Sequence, residues 1–430
     1  MNRVIKLPLC LLFLVSSFLF PQSTYEEFLK QQQQAQQDFF EDEEKEFKNY
    51  VAAVTAEYDQ YEAQQKKEFE NFKKDVEQKW SNFKSPSNKE YVEYDSDLNS
   101  RASVDFEKGE VTIEVIIEQE SVVSKPSSKD IKKDTEKRKK RVKNKSNNIQ
   151  PIKKPVTAVI EDRISKKKAI SEKKIQEKLV NIIKTKGANG TPILKNQLVD
   201  RRGKSVSTKT AKKYASQLVS STPIKQKSYK SKDGKIRTVY TVKVPMKPDH
   251  ISTRAKKYKK EVLKQSRRFN IDPIIAFAVM ETESAFNPKA KSHIPAYGLM
   301  QLVPKSGARD AYLFVYKKDK FVGGDYLYRP TNNIELGCAY LSKIRHQYFK
   351  SIKDDEKAYI CAIPAYNTGI GNVAKALTGK TKLRPASMKA NSMTPKQLYT
   401  KLHKDLKYKE ARDYLERVWT KKDKYSKMLN

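Results

Sequence analysis

From Tyr25 to Phe83 the apolar positions are isolated aromatics in a Gln/Glu/Lys-rich background, and they recur on a fixed beat. Phe28, Phe39, Tyr50, Tyr61, Phe72 and Phe83 come every eleven residues. Tyr25, Phe47, Tyr58, Phe69 and Trp80 form a second row, with Gln36 at its one missing beat. Val54 and Val76 belong to a third row, interrupted by Gln65. Eleven residues span close to three helical turns, so the rows make one narrow stripe along a helix. Neither Pro nor Gly breaks it. The pattern predicts a long helix over residues 24–85, paired with a second copy or with another envelope component.

"KSPSN" (Lys84 to Asn88) ends that segment, and the period then changes to two. Ala102, Val104 and Phe106 alternate, "EKG" turns, and Val111, Ile113 and Val115 alternate again, which predicts a hairpin. A second hairpin is predicted in "SYKSKDGKIRTVYTVKVPM", with Asp233-Gly234 as its turn. These hairpins place a small mixed β-containing domain at residues 86–250. A basic run at about 124–174 ("KDIKKDTEKRKKRVKNK", "SKKKAISEKK") reads as an insert within it, either merely solvated or adhering to an anionic envelope polymer. From Thr253 onward the pattern is helical, giving a third region at 251–430. The fold class expected is α+β.

Composition changes the picture in one respect. The chain has 430 residues, a hydrophobic content of only 37% and a formal charge of +37. A charge that large implies an anionic partner: nucleic acid, an acidic membrane surface or an anionic polymer. The N-terminus narrows the choice. Arg3 and Lys6 precede the apolar run Leu7 to Phe20, which is too short for a comfortable transmembrane span. Residues 1–23 therefore read as a secretory signal or as an uncleaved anchor that attaches the chain to a membrane. An exported chain, in the periplasm or elsewhere in the cell envelope, makes nucleic acid a poor partner. Cys10 lies inside the apolar run, not after it as a lipid-acceptor cysteine would. Cys338 and Cys361 are either a disulfide or two buried thiols. No Cys/His cluster has metal-ligand spacing, so neither metal nor cofactor is expected.

The candidate chemistry lies in "FNIDPIIAFAVMETESAF". Asp272 is an N-cap with Pro273 at the first helical position. The stretch Ile274 to Met280 is apolar on every side, so the helix should be buried. A carboxylate in its last turn faces apolar surroundings and the negative end of the helix dipole, and both raise its pKa. That suits a general acid. Glu281 and Glu283 both qualify. Two residues apart on a helix they point about 200° apart, so they cannot face one bond together. Periodicity does not choose between them.

Glu283-Ser284-Ala285-Phe286-Asn287-Pro288, Gly298-Leu299-Met300-Gln301 and Ala365-Tyr366-Asn367 resemble, in order and spacing, the catalytic domain of the soluble lytic transglycosylases. "RPTNNIELGCAYL" (Arg329 to Leu341) and "EARDYLERV" (Glu410 to Val418) agree with two further blocks of that family. The segments "EYVEYDSDLNSRASVDFEKGEVTIEVI" and "YTVKVPMKPDHISTRAKKYKKEVLKQSRRFNID" resemble the N-terminal domain and junction of its membrane-bound murein transglycosylase C group. The resemblance implies a mainly helical, lysozyme-like catalytic domain. It implies that Glu283 is the catalytic acid/base and that Ser284 orients the carboxylate or touches the sugar. It further implies that Gln301 and Asn367 bind substrate, that Tyr366 lines the site and that Tyr414 helps to close the cleft. Glu281 is left as structural and Gly298 as a turn residue. The implied substrate is the glycan strand of peptidoglycan, cleaved between N-acetylmuramic acid and N-acetylglucosamine without water, so no second carboxylate is required. Asp310, Asp319 and Asp325 follow nearby and spacing alone does not dismiss them. Two positions depart from the family pattern: Thr368 replaces a glycine, and Pro364 is expected to kink a helix or mark a turn. Two other readings compete, a hydrolytic muramidase and a wall-binding scaffold built on an inactive domain.

Overall fold

The computed structural model describes residues 59–119, 156–293 and 295–429, with Gln34, Ala52, Thr55 and Ala56; for residues 156–164 it describes the backbone alone. The expected signal or anchor, Cys10, most of the aromatic stripe and most of the basic insert lie outside the described residues. The chain divides into residues 1–71 and 72–430. In the first unit, residues 59–71 are helical, and Tyr61 and Phe69 are exposed.

The second unit begins with a helical stretch, 72–79, that carries the end of the stripe. Val76 and Trp80 are buried there with Ile116. The Trp80 indole donates to the Leu98 carbonyl at 2.8 Å, and Phe83 stacks on Tyr94 with ring centroids 6.3 Å apart. For these last rows the structure replaces the expected external partner with the chain's own sheet. A Trp and a Val sealed against a strand remove apolar surface from water and so help to hold the segment on the sheet.

That sheet has five antiparallel strands in the order β1-β2-β3-β5-β4: β1 Glu90–Tyr94, β2 Ser100–Asp105, β3 Glu110–Glu118, β4 Lys225–Lys230 and β5 Ile236–Pro245. Both expected hairpins form. β2 pairs β3 with Val104 opposite Val111, and β4 pairs β5 around Gly234, whose φ of +83° the tight turn demands. β1 is an additional edge strand. β3 also pairs β5, with Val111 opposite Val244 and Val115 opposite Tyr240, closing the sheet across the intervening segment. The alternation seen in sequence puts Ala102, Val104, Val111, Ile113, Val115, Val242 and Val244 on one face. Ile175, Leu179 and Ile182 of the helix Val156–Lys184 and Ala211 and Ala215 of the helix Ala211–Ser221 cover that face.

The remainder is helical. His250–Phe269 ends at Asn270 in the left-handed region and leads into Pro273–Ser284, the glutamate helix. Around it stand Pro330–Lys343, Asp355–Thr368, Lys409–Thr420 and Lys422–Leu429, with shorter helices between. Ile275 to Met280 are all buried, as the unbroken apolar run requires. The mixed arrangement is α+β, as expected. Asp355–Thr368 remains helical through Pro364, which is buried inside it. Cys338 and Cys361 are both buried free thiols. Among the described residues, no helix is long and apolar enough to cross a membrane.

Candidate active site

The glutamate helix starts as its sequence dictates. The Asp272 carboxylate accepts from the Ile274 N–H at 2.8 Å, with Pro273 beside it. It ends abruptly. Ala285 (φ +47°) and Phe286 (φ +59°) are consecutive non-glycine residues in the left-handed region, each costing roughly 1 kcal/mol or more. This double reversal turns the chain back immediately after Glu283 and Ser284.

The two glutamates go separate ways, as the 200° offset requires. Glu281 is buried and receives the Tyr425 hydroxyl and, at 2.8 Å, the Lys424 ammonium, so it ties the last helix to this one. Glu283 is half-buried on the other side. Its Oε1 accepts the Tyr414 hydroxyl at 2.7 Å. Burial pushes its pKa up to about 8, and the Glu410 charge adds to this. The Tyr414 hydrogen bond, Arg417 and Lys89 pull the other way without cancelling it. A carboxyl in this state carries its proton at neutral pH and can deliver it.

The facing wall is the turn Tyr297–Leu302, and its carbonyls are almost all engaged. Asn333 donates to the Tyr297 and Leu327 carbonyls at 2.8 and 2.9 Å and accepts from the Met300 N–H at 2.7 Å. The Ser284 hydroxyl donates to the Leu299 carbonyl at 2.8 Å, and the Tyr366 hydroxyl to the Met300 carbonyl at 2.9 Å. Gly298 has φ +75°, and a Cβ there would lie 2.4 Å from the Leu327 carbonyl oxygen, so only glycine fits. The turn delivers Gln301 with φ +47°. The Gln301 Nε2 donates to the Gly298 carbonyl at 2.9 Å. Its Oε1 is buried without a hydrogen-bond partner among the described residues, an acceptor left open.

The residues singled out in sequence therefore converge, though in distinct roles. Tyr414 donates to Glu283, while the Gln301 amide is turned into the wall, its Nε2 on Gly298 and its Oε1 buried. Ser284 is fully buried and its hydroxyl is committed to the turn. Tyr366 packs edge-on to Tyr340 at 5.3 Å and braces the same turn. Asn367 donates to the Glu410 carboxylate at 3.0 Å. Asp310 pairs with Lys343 at 3.2 Å and Asp319 with Arg309, ion pairs away from the glutamate. Asn333, Glu410 and Arg417 are functional neighbours that sequence reasoning missed, although each lies inside a block that it quoted.

Residues 261–388 match the Transglycosylase SLT domain family. Residues 57–128 and 179–257 match a second family, Membrane-bound lytic murein transglycosylase C, N-terminal domain. The SLT match contains Glu283, Gln301, Asn333 and Tyr366, whereas Glu410, Tyr414 and Arg417 lie beyond its last residue. The second match omits 129–178, where the basic run falls. A relative from Klebsiella pneumoniae subsp. pneumoniae, Membrane-bound lytic murein transglycosylase C, is 34% identical over 235 residues, 54% of this chain and 63% of that one. Its namesake from Glaesserella parasuis serovar 5 is 34% identical over 241 residues, 55% and 63% of the two chains. The chain thus spans less than two thirds of the length of the curated relatives it matches. Two solved structures are similar over 40% of this chain and 24% of theirs. One is an inactive mutant of the lytic transglycosylase Slt from Pseudomonas aeruginosa, 25% identical with a TM-score of 0.30. The other is the 70 kDa soluble lytic transglycosylase from Escherichia coli, 22% identical with a TM-score of 0.31.

Proposed function

We propose that this protein is a peptidoglycan lytic transglycosylase of the cell envelope, cleaving the bond between N-acetylmuramic acid and N-acetylglucosamine without consuming water. The observation that supports this most is the half-buried, proton-bearing Glu283 held at one oxygen by Tyr414. Because the Tyr414 hydroxyl occupies Oε1, the carboxyl proton resides on Oε2, on the side left for substrate. Glu283 gives this proton to the glycosidic oxygen as the bond to the muramic C1 breaks. The resulting carboxylate then takes the proton of the muramic 6-hydroxyl as that oxygen closes on C1. The product is a 1,6-anhydro end, and Glu283 is again protonated. Gln301 and Asn367 are assigned to binding the sugar. Ser284 and Tyr366 act from behind, holding the turn that carries Gln301.

Hydrolysis is the second reading, and Glu410 is what favours it. A glycosidase that uses water needs a second carboxylate across the bond, and the Glu410 charge acts on Glu283. Mass spectrometry of peptidoglycan digests separates the readings. Anhydro-muramyl ends from the wild type, absent with Glu283→Gln, support transglycosylation. Reducing ends would establish a muramidase. Products from Glu283→Gln equal to those of the wild type would remove Glu283 from the chemistry. Attachment to a membrane through residues 1–23 and association through the helix of residues 25–84 belong to the same proposal; cell fractionation and sedimentation of the full chain test them.

A further inference from the structure

The carbonyl of Glu283, at the end of the glutamate helix, is held by the small β-containing domain. Asn88, two residues before β1, donates from Nδ2 to the Glu283 carbonyl at 2.7 Å. Asn287 returns the contact, donating from Nδ2 to the Asn88 carbonyl at 3.2 Å. The two amides thus form a reciprocal clasp across some two hundred residues of sequence. Beyond it, the Arg254 Nε donates to the Ala285 carbonyl at 2.9 Å, while the same guanidinium reaches Gln197 and the Phe106 carbonyl. Lys89, next to Asn88, is one of the charges that act on Glu283. The domain in front therefore grips the Glu283 carbonyl, and Arg254 of the helix His250–Phe269, itself tied to that domain at Gln197 and Phe106, holds the Ala285 carbonyl where two consecutive left-handed residues reverse the chain.

A double left-handed turn in non-glycine residues persists only where its surroundings over-determine it. The last carbonyls of a helix also lack intrahelical donors and must be met from outside. Asn88 meets both needs at the residue that carries the carboxyl. We infer that Asn88 is a positioning residue for Glu283: its amide fixes the backbone from which the acid is aimed, so the catalytic geometry is completed by the β-containing domain. This rests on the assignment of Glu283 as the acid.

The test uses the full chain and steady-state turnover of peptidoglycan against pH, with Asn88→Ala and Asn88→Asp beside Glu283→Gln. Asn88→Asp keeps the shape of the side chain and removes the donor. A shift of the reacting group by a fraction of an ångström to one ångström predicts a fall in kcat of about tenfold to a hundredfold, with KM changed less than about twofold. The alkaline limb of the profile moves to higher pH, since an uncapped carbonyl disfavours ionisation of the nearby carboxyl. The groups that face Glu283 and set that limb otherwise, Tyr414, Glu410, Arg417 and Lys89, are unaltered. Should Asn88→Ala not fold, Asn88→Ser takes its place, and Asn88→Asp remains the isosteric measure. A kcat within about twofold of the wild type and an unmoved limb in both variants would overturn the inference. So would a fall in Tm that accounts for all lost activity. Turnover by Glu283→Gln would instead sink the site assignment, so the two failures are distinguishable.

Discussion

The hydroxyl of Tyr414 lies 2.7 Å from Oε1 of Glu283, although 131 residues separate them. The bond favours the ionised carboxyl, yet burial outweighs it and the pKa stands at about 8. The acid form that starts the reaction is therefore full below that value. Turnover is expected to be flat toward neutral pH and to fall as pH rises through about 8. Tyr414→Phe removes a stabiliser of the anion, so the limb should move further up while kcat drops. A limb that moves down would contradict the direction given to this bond.

The same shift has a thermodynamic sign. Folding raises the Glu283 pKa from the ordinary 4.5 to about 8, so within that window the folded state holds more protons than the unfolded one. Stability contributed by this group is present below about 4.5 and is lost as pH climbs to about 8. Glu283→Gln cannot ionise. Its stability advantage over the wild type should therefore grow between pH 5 and 8 and level off above, reaching on the order of a few kcal/mol. Urea denaturation at several pH values reads this directly, and a constant difference would refute it.

Glu281→Gln should separate the paired glutamates. It weakens the contacts with Lys424 and Tyr425 and costs about 1–3 kcal/mol. Turnover per folded molecule, measured well below Tm, should stay within about threefold of the wild type, since a buried hydrogen bond remote from the reacting atoms acts through stability. Loss of turnover comparable with that of Glu283→Gln would show that both acids are catalytic.

Glu410→Gln distinguishes the two proposed chemistries. Under transglycosylation Glu410 only raises the pKa of Glu283. The variant then keeps anhydro products and shifts its alkaline limb down. Under hydrolysis it loses its base, and a fall of about 100-fold or more is expected.

Much of this was legible from local sequence. The β2–β3 and β4–β5 hairpins declare themselves by alternation and turn residues, and the glutamate helix by its cap, its apolar run and its Pro stop. The choice of Glu283 needed the Glu-Ser motif, because the period of a helix places two such glutamates on opposite sides without ranking them. What stayed hidden was pairing over distance. β1 carries Tyr91, Val92 and Tyr94 among charges and shows no clean alternation. Asn88, Arg254 and Asn333 act through backbone carbonyls 195, 31 and 36 residues away, and a carbonyl has no signature in sequence. At the end of the aromatic stripe, only the fold shows that Val76 and Trp80 find cover on Ile116.

Asn333→Ala should be among the most costly single changes in the helical part. It abandons the Met300 N–H and two carbonyls in a dry interior, a loss of about 3–5 kcal/mol summed over buried, unsatisfied groups. Thermal unfolding checks the cost. Any folded fraction should show a raised KM, because the turn carrying Gln301 is no longer braced. An unchanged Tm would contradict the accounting.

The Tyr297–Leu302 turn also limits how such a cleft can diversify. Gly298 has no room for a methyl group, and a Cβ on Gly337 would strike the Met300 side chain. Asn333 has spent both donors and its acceptor. Drift toward a different sugar or stem would find this wall closed to it. The edge where Asn367 meets the exposed Glu410 carries no such steric limit, and a change there reaches Glu283 through charge instead of through packing.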